Sequence, residues 1–233
     1  MPISVIIPAL NEAESIGQVV ASMPWQLIAE CIVVDNGSTD GTAAIAAAAG
    51  ARVIQSPRGY GAANLAGSNA ALPTSDILVY MDGDGSDIID DLVRLVSPIQ
   101  ENEADFVLGS RILGQREPGS MLPSQLFAGH LVGFLLRIFQ GVRYTDMGPF
   151  RAIRRSSFER LNMQELTYGW NLEMQIKASQ HGLRIREITV DYRHRIGGVS
   201  KVSGDLWASI KAGFRIIEVL LRVGLARPAR ARQ

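Results

Sequence analysis

The chain has 233 residues, 47% of them hydrophobic, enough to bury the core of one large α/β domain or two small ones and too apolar for a disordered chain. Lysine plus arginine and aspartate plus glutamate both number 23, so bulk charge implies no nucleic-acid partner. Cys31 is the single cysteine, which excludes a disulfide framework and a cysteine-based metal site and suits a reducing compartment.

Along the chain, β-branched apolar runs alternate with helical patterns. ISVIIPA (3–9) reads as a strand and NEAESIGQVVASM (11–23) as the helix after it. The opening MPISVIIPALNE has neither the basic start nor the long apolar run of a signal peptide. CIVVD (31–35) is a second strand, followed by the helix TDGTAAIAAAAG (39–50), with Thr39 or Asp40 as N-cap and Gly50 as C-cap. RVIQS (52–56) is a third strand and GYGAANLAGSNAAL (59–72) a small-residue helix. ILVYMD (77–82), the amphipathic helix DIIDDLVRLVSPIQ (87–100) and the strand ADFVLGS (104–110) complete the alternation. Such alternation implies a doubly wound, mostly parallel sheet that binds ligands at the strands' C-terminal ends.

Past residue 110 the pattern changes. A loop rich in glycine and proline (111–124) leads to a hydrophobic helix over 124–139, read either as core or as an interfacial helix dipping into lipid. A helix near 170–181, a strand over 185–195, a glycine-rich loop (196–204) and a final amphipathic helix to about 222 follow. The longest apolar run, 126–136, is too short to cross a membrane. From 184 to 232 eleven basic residues face only Glu187, Asp191, Asp205 and Glu218, a balance that suits an anionic ligand or membrane surface and equally a solvated face.

Three strand ends carry polar groups: PALNE, VVDNGSTD and MDGDGSD. In a doubly wound sheet they line one crevice, so Asn11, Glu12, Asp35, Asp82 and Asp84 are expected to converge. Residues i and i+2 of an extended chain point the same way, so Asp82 and Asp84 face one ligand. Buried carboxylates need compensation, and a cation, a basic side chain or solvent can each supply it. Their oxygens suit Mg²⁺ or Mn²⁺ held together with substrate phosphates, and Gly83 and Gly85 would admit a diphosphate close to the backbone. An exposed Asp-Gly turn is the plainer reading. A calcium loop starting at Asp82 fails, because Asp87 and Val93 stand where glycine and glutamate are required. A phosphatase of the haloacid-dehalogenase type, with Asp82 as nucleophile, is the runner-up, although Ser86, Lys177 and Lys201 give it no clean support. RGYGAAN (58–64) has Asn64 where a dinucleotide fingerprint needs glycine. Gly59 and Gly61 there permit either a tight turn near a phosphate or sugar, or close packing.

Taken together, VIIPALNE, VVDNGSTDGT, YMDGDGSD, LGSR, DMGPFRAIRR, YGWNLEMQIKA and YRHRIGGVSKVSG make the chain resemble an inverting glycosyltransferase of family 2. The later motifs are most similar to the branch typified by dolichyl-phosphate mannose synthase. The resemblance implies a single GT-A nucleotide-sugar-binding domain over about 1–225, its nucleotide-binding half about 1–110 and acceptor half about 111–225, with a basic tail at 226–233. It implies a GDP- or UDP-sugar donor, a polyprenyl phosphate acceptor, Mg²⁺ or Mn²⁺ as cofactor, and a cytoplasmic protein with peripheral contact to the inner face of the membrane. Position by position, Pro8, Ala9, Asn11, Glu12 and Asp35 would hold base and ribose. Asp82 would contact the ribose and diphosphate, and Asp84, with Ser86 near, the metal. Arg111 would neutralise the diphosphate, and Arg195, Ser200 and Lys201 would bind donor or acceptor phosphates. The Q-x-x-R-W motif of polymer-forming members is absent, which argues against a processive synthase; the appended membrane helices of many relatives are not seen in this sequence either, so a soluble acceptor is the alternative. A phosphate nucleophile is already ionised; a hydroxyl acceptor would need a carboxylate base, for which Asp146 and Glu173 are the candidates. Glu173 also reads as a helix ion pair with Lys177, and Trp170 as core or as an acceptor platform, core being the plainer reading.

Overall fold

The computed structural model describes residues 1–121, 129, 133–134, 136–138, 141–197 and 218–224. Ser200, Lys201, most of the helix expected over 124–139, most of the final helix and the 226–233 tail lie outside the described residues.

The strands are β1 (Ile3–Ala9), β2 (Glu30–Asp35), β3 (Arg52–Gln55), β4 (Ile77–Tyr80), β5 (Phe106–Ser110), β6 (Arg151–Arg154) and β7 (Ile185–Thr189). Among the described residues they form one seven-stranded sheet in the order β3-β2-β1-β4-β6-β5-β7. β1 pairs parallel with β2 and β4, β2 with β3, and β5 with β7, while β6 runs antiparallel to β4 and β5. Helices α1 (Ile16–Ala21), α2 (Thr42–Ala48), α3 (Tyr60–Ala70), α4 (Leu92–Gln100), α5 (Arg155–Leu161) and α6 (Trp170–Gln180) flank it.

Both faces of the sheet are covered, which explains why its central strands read as continuous apolar runs. Val5, Ile7, Val33 and Val79 pack on one side against Ile16, Val19 and Val20 of α1 and Leu92, Leu95 and Ile99 of α4. Ile6, Ile32, Val34, Leu78 and Tyr80 point the other way, onto Phe158 of α5 and Trp170 and Met174 of α6. Trp170 is fully buried, edge-on to Tyr80 with ring centroids 6.2 Å apart; it is a core residue, not an acceptor platform. In the hydrophobic segment near 136, Leu136 is buried whereas Phe134 and Ile138 are exposed.

Several local features differ from the sequence reading. β6 and α5 are additional elements: β6 places the fully buried Arg151 in mid-sheet, which breaks the apolar run by which a strand is recognised. The first helix starts at Ile16 rather than 11, because residues 11–15 form a turn anchored on the Glu12 carbonyl, which accepts N–H bonds from Ser15 and Ile16. Gly41 takes the N-cap position of α2; Asp40 nonetheless accepts from the Thr42 N–H (3.1 Å). The seventh strand ends at Thr189, and residues 190–196 turn across the ends of the other strands.

Gly59 and Gly61 face protein rather than ligand. A Cβ on Gly61 would stand 2.2 Å from the Glu165 carbonyl oxygen, and the Ala62 N–H donates to Leu166 O (2.9 Å). The α3 start is therefore docked on the backbone of 165–166. Gly61→Ala should cost about 1–3 kcal/mol, the range for overpacking against a partner that cannot yield; a urea melt matching the wild type would show that the 165–166 turn moves freely.

Candidate active site

Because β2, β1 and β4 are neighbours in the sheet, their C-terminal loops meet, as expected from strand order. The β1 and β2 loops are stitched together: the Asn11 N–H donates to Ser38 Oγ (2.9 Å), Asn11 Oδ1 accepts from the Thr39 N–H (2.8 Å), and the Glu12 N–H donates to Thr42 Oγ1 (2.8 Å). Asn11 holds a left-handed φ of 52° there. The β1 and β4 loops join through Ser15 Oγ, which donates to Gly83 O (2.9 Å).

Pro8 and Ala9 end β1 in register with Val34 and Asp35. Asp35 is buried and accepts from the Ser38 N–H (3.0 Å) and from Gln55 Nε2 (2.9 Å). Burial alone would raise its carboxyl, but these hydrogen bonds outweigh it and leave the group below its ordinary value. Asn36 and Gly59 exchange two hydrogen bonds, side chain to backbone (2.8 and 2.9 Å), fixing the α3 start beside the same crevice.

The β4 loop concentrates negative charge. Asp84 Oδ1 accepts from the Ser86 N–H (2.9 Å) and Ser86 Oγ (2.6 Å). Asp82 is half-buried, with the Tyr60 hydroxyl 3.4 Å from its Oδ1. Asp87, which stands where a calcium loop would need glycine, accepts from the Asp82 N–H (3.0 Å) through Oδ2; its Oδ1 is buried with no partner. Burial, with the charges of Asp84 and Asp87 beside it, pushes the Asp82 carboxyl well above its ordinary value. Burial likewise pushes Asp87 up to about 7, against the Asp82 N–H and helped by the Asp84 charge. So crowded a cluster calls for positive charge. Asp82 and Asp84 are oxygen donors of the kind that suits Mg²⁺ or Mn²⁺, ions commonly held by one or two carboxylates plus substrate phosphates, although among the described residues no group of three potential ligands forms a metal cage.

For Asp84 a basic side chain supplies compensation. Residues 192–196 cross the β4 loop as a strap: the Arg193 N–H donates to Ser86 O (3.1 Å), Arg193 Nε to Gly85 O (2.7 Å), and the Ile196 N–H to Asp84 O (2.9 Å). Gly85 has φ 77°, and a Cβ there would lie 2.4 Å from Ile196 Cδ1. Its lack of a side chain serves this turn and the strap rather than an open approach for a diphosphate. Arg195 Nη2 donates to Asp84 Oδ2 at 2.6 Å.

Arg111 also lies at this end of the sheet, but Asp146 claims it. Asp146 accepts from Arg111 Nε (2.7 Å), Nη2 (2.9 Å) and N–H (3.0 Å), and the guanidinium rests 5.0 Å from the Tyr192 ring centre. Burial would raise the Asp146 carboxyl; the Arg111 charge and hydrogen bonds outweigh it and hold the group below its ordinary value. It is therefore a poor general base. Glu173 is equally committed, accepting from the Gln164 and Glu165 N–H groups (3.0 and 2.7 Å) and pairing with Lys177 (2.8 Å). Beneath Arg111 lies a support absent from the sequence reading: Arg151 donates to Gly148 O through Nε (3.2 Å) and Nη2 and to Asn171 O (3.1 Å), while Gln175 Nε2 donates to Asp146 O (2.9 Å). Arginine in a run of buried residues was the one signal for it.

A family model described as glycosyl transferase family 2 matches residues 4–161. An uncharacterized glycosyltransferase of Mycobacterium tuberculosis is 39% identical over 212 residues, 90% of this chain and 94% of that protein. A polyprenol monophosphomannose synthase of Mycolicibacterium smegmatis is 32% identical, over 86% of this chain and 81% of its own. Among solved structures, glucosyl-3-phosphoglycerate synthase of M. tuberculosis in complex with Mn²⁺, UDP-glucose and phosphoglyceric acid superposes with a TM-score of 0.75 at 26% identity, covering 96% of this chain and 79% of that one.

Asp146→Asn should cost about 3 kcal/mol or more, because it leaves the buried Arg111 guanidinium without its counter-charge. The wild-type carboxyl titrates below its ordinary value, so the pair's contribution is complete above the ordinary carboxylate range and lost as pH falls through and below it. Denaturation curves of the two proteins should therefore differ most near neutral pH and converge in acid. A constant difference across that range would contradict the assignment.

Proposed function

Since the chain belongs to glycosyl transferase family 2 and is a glycosyltransferase, we propose that it moves a hexose from a GDP- or UDP-sugar to a polyprenyl phosphate, with inversion and with Mg²⁺ or Mn²⁺. One observation carries the choice of acceptor. Both carboxylates considered as general base, Asp146 and Glu173, are locked in ion pairs and backbone hydrogen bonds, which favours a nucleophile that needs no base. A phosphate monoester is ionised at neutral pH and meets that requirement. Its similarity to a polyprenol monophosphomannose synthase over most of both chains supports the same reading. Among the described residues no helix is long and apolar enough to cross a membrane; a lipid acceptor would be met at the bilayer surface.

In this reading Pro8, Ala9, Asn11, Glu12 and Asp35 form the base and ribose pocket at the ends of β1 and β2. Asp82 faces the ribose and diphosphate, and Asp84 and Asp82 are the carboxylates for the cation, with Ser86 orienting Asp84. When bound, the cation supplies Lewis-acid neutralisation of the leaving diphosphate. Arg111, its plane fixed by Asp146, and Lys201 add positive charge where negative charge develops. Arg195, Ser200 and Lys201 hold the phosphate groups of donor or acceptor. The acceptor oxygen attacks the anomeric carbon as the bond to the nucleoside diphosphate breaks. With charge already in place, positioning supplies most of the rate.

A soluble phosphorylated acceptor is the second reading. A polar cleft of about 410 Å³ lies behind the strap, lined by Arg116, Glu117, Asp191, Tyr192 and Arg193 among others, and the similar solved enzyme carries phosphoglyceric acid.

Incubation with labelled GDP-mannose or UDP-glucose, Mn²⁺ and either undecaprenyl phosphate or 3-phosphoglycerate separates the two. Label extracted into organic solvent supports the lipid acceptor; label only in an aqueous phosphorylated product replaces it with the soluble one. Asp84→Ala should lower transfer by at least about 100-fold, a typical loss for one electrostatic contact to the transition state. In the wild type the matching nucleotide with Mn²⁺ should add about 2.7 kcal/mol at a hundredfold excess over Kd, several degrees in Tm. Full transfer by Asp84→Ala would remove this residue from the metal site.

A further inference from the structure

Arg195 stands where the cation is needed. Its Nη2 donates to Asp84 Oδ2 at 2.6 Å, and Asp84 is 7% exposed. Its other terminal nitrogen, Nη1, is buried and has no hydrogen-bond partner. Across the same loop, Asp87 Oδ1 is likewise buried and unpartnered. An unpartnered guanidinium N–H and an unpartnered carboxylate oxygen at one site are both costly to leave so. They describe a site satisfied only in part by its own side chains.

The strap carrying Arg195 is tied to the loop carrying Asp84 by the Arg193 and Ile196 N–H groups and by Arg193 Nε. The guanidinium is thus delivered to Asp84 by backbone pairing, not by a wandering surface side chain. A divalent ion on Asp84 and a guanidinium on Asp84 Oδ2 compete for the same lone pairs and the same charge.

We propose that Arg195 is a resident counter-cation that plugs the ligand-free site: a divalent ion reaches Asp84 only as Arg195 leaves it, and the released guanidinium, with Nη1 already free of protein partners, becomes available to a phosphate of donor or acceptor. Metal entry and rearming of the strap are one exchange. The proposal rests on Asp84 being a metal-binding carboxylate, as in the function above. Arg195 is in this sense a switch residue: removing it improves metal binding while impairing transfer, two effects of opposite sign that simple phosphate binding does not produce.

The test is Mn²⁺ binding without nucleotide, by calorimetry, to the wild type, Arg195→Gln and Arg195→Lys. Arg195→Gln should bind Mn²⁺ at least about tenfold tighter, and Arg195→Lys, which keeps the charge, should stay within about threefold of wild type. Arg195→Gln that is folded by circular dichroism yet binds Mn²⁺ no tighter than wild type overturns the plug while leaving Asp84 as a metal ligand. Failure of the wild type to bind Mn²⁺ even with UDP or GDP present overturns the metal site itself, and the plug with it. A measurement on the wild type covers the case in which Arg195→Gln does not fold. Trypsin cleavage after Arg195, mapped by mass spectrometry, should be slow in the ligand-free protein and at least about fivefold faster with Mn²⁺ alone. An unchanged cleavage rate in protein that binds Mn²⁺ overturns the exchange.

Discussion

Three carboxylates gathered at the C-terminal end of one buried strand set the terms for this half of the molecule. Asp82, Asp84 and Asp87 sit on a loop whose sequence spacing brings them together within six residues, and burial lifts Asp82 and Asp87 away from their ordinary ionisation. Carboxylates so placed are stable only with positive charge or donated hydrogen bonds. Much of the surrounding architecture supplies one or the other: Ser86 on Asp84, the Asp82 N–H on Asp87, and Arg195 on Asp84.

A second charge arrangement lies beside the first and has the opposite purpose. Arg111 and Asp146 form a bidentate pair, which fixes a guanidinium plane more firmly than a lone lysine could. Arg151 underpins this pair from the middle of the sheet, buried and bonded to carbonyl oxygens rather than to an acid. Burial pulls its pKa down to about 10, still far above neutrality, so it remains charged. Its role is to hold the 146–148 turn, and through it the orientation of Arg111. The antiparallel strand β6, paired with β4 and β5, places Arg151 within reach of both Gly148 O and Asn171 O.

Together these arrangements give a crevice with cross-linked walls, beside which the exchange proposed for Arg195 would take place. The walls are the β1, β2 and β4 loops, cross-linked by Asn11, Ser15, Ser38 and Thr42. The part that would exchange is the strap over 192–196, built from irregular backbone that leaves the sheet after Thr189. In the proposed function this division would keep the nucleotide pocket preorganised while the basic residues follow the charge.

How much of this the sequence determined can be told residue by residue. Alternating runs identified β1 to β5 and the doubly wound sheet, since central parallel strands must be apolar on both faces. Two aspartates just after a strand draw attention to this loop, but β4 ends at Tyr80 and residues 83–84 turn, so it is the turn and not an extended i, i+2 chain that places them. Asn11, Glu12 and Asp35 are read from their places at the ends of neighbouring strands. β6 escaped because its buried side chain is an arginine, and Asp87 because its value lies in an unpartnered oxygen that no pattern records. Only the tertiary structure decided who pairs with whom: Arg195 lies 111 positions from Asp84 and Arg111 lies 35 from Asp146. Periodicity reports which face of an element is buried, because that depends on local geometry; the partner of a charge depends on which distant loops the closed sheet brings within hydrogen-bonding distance.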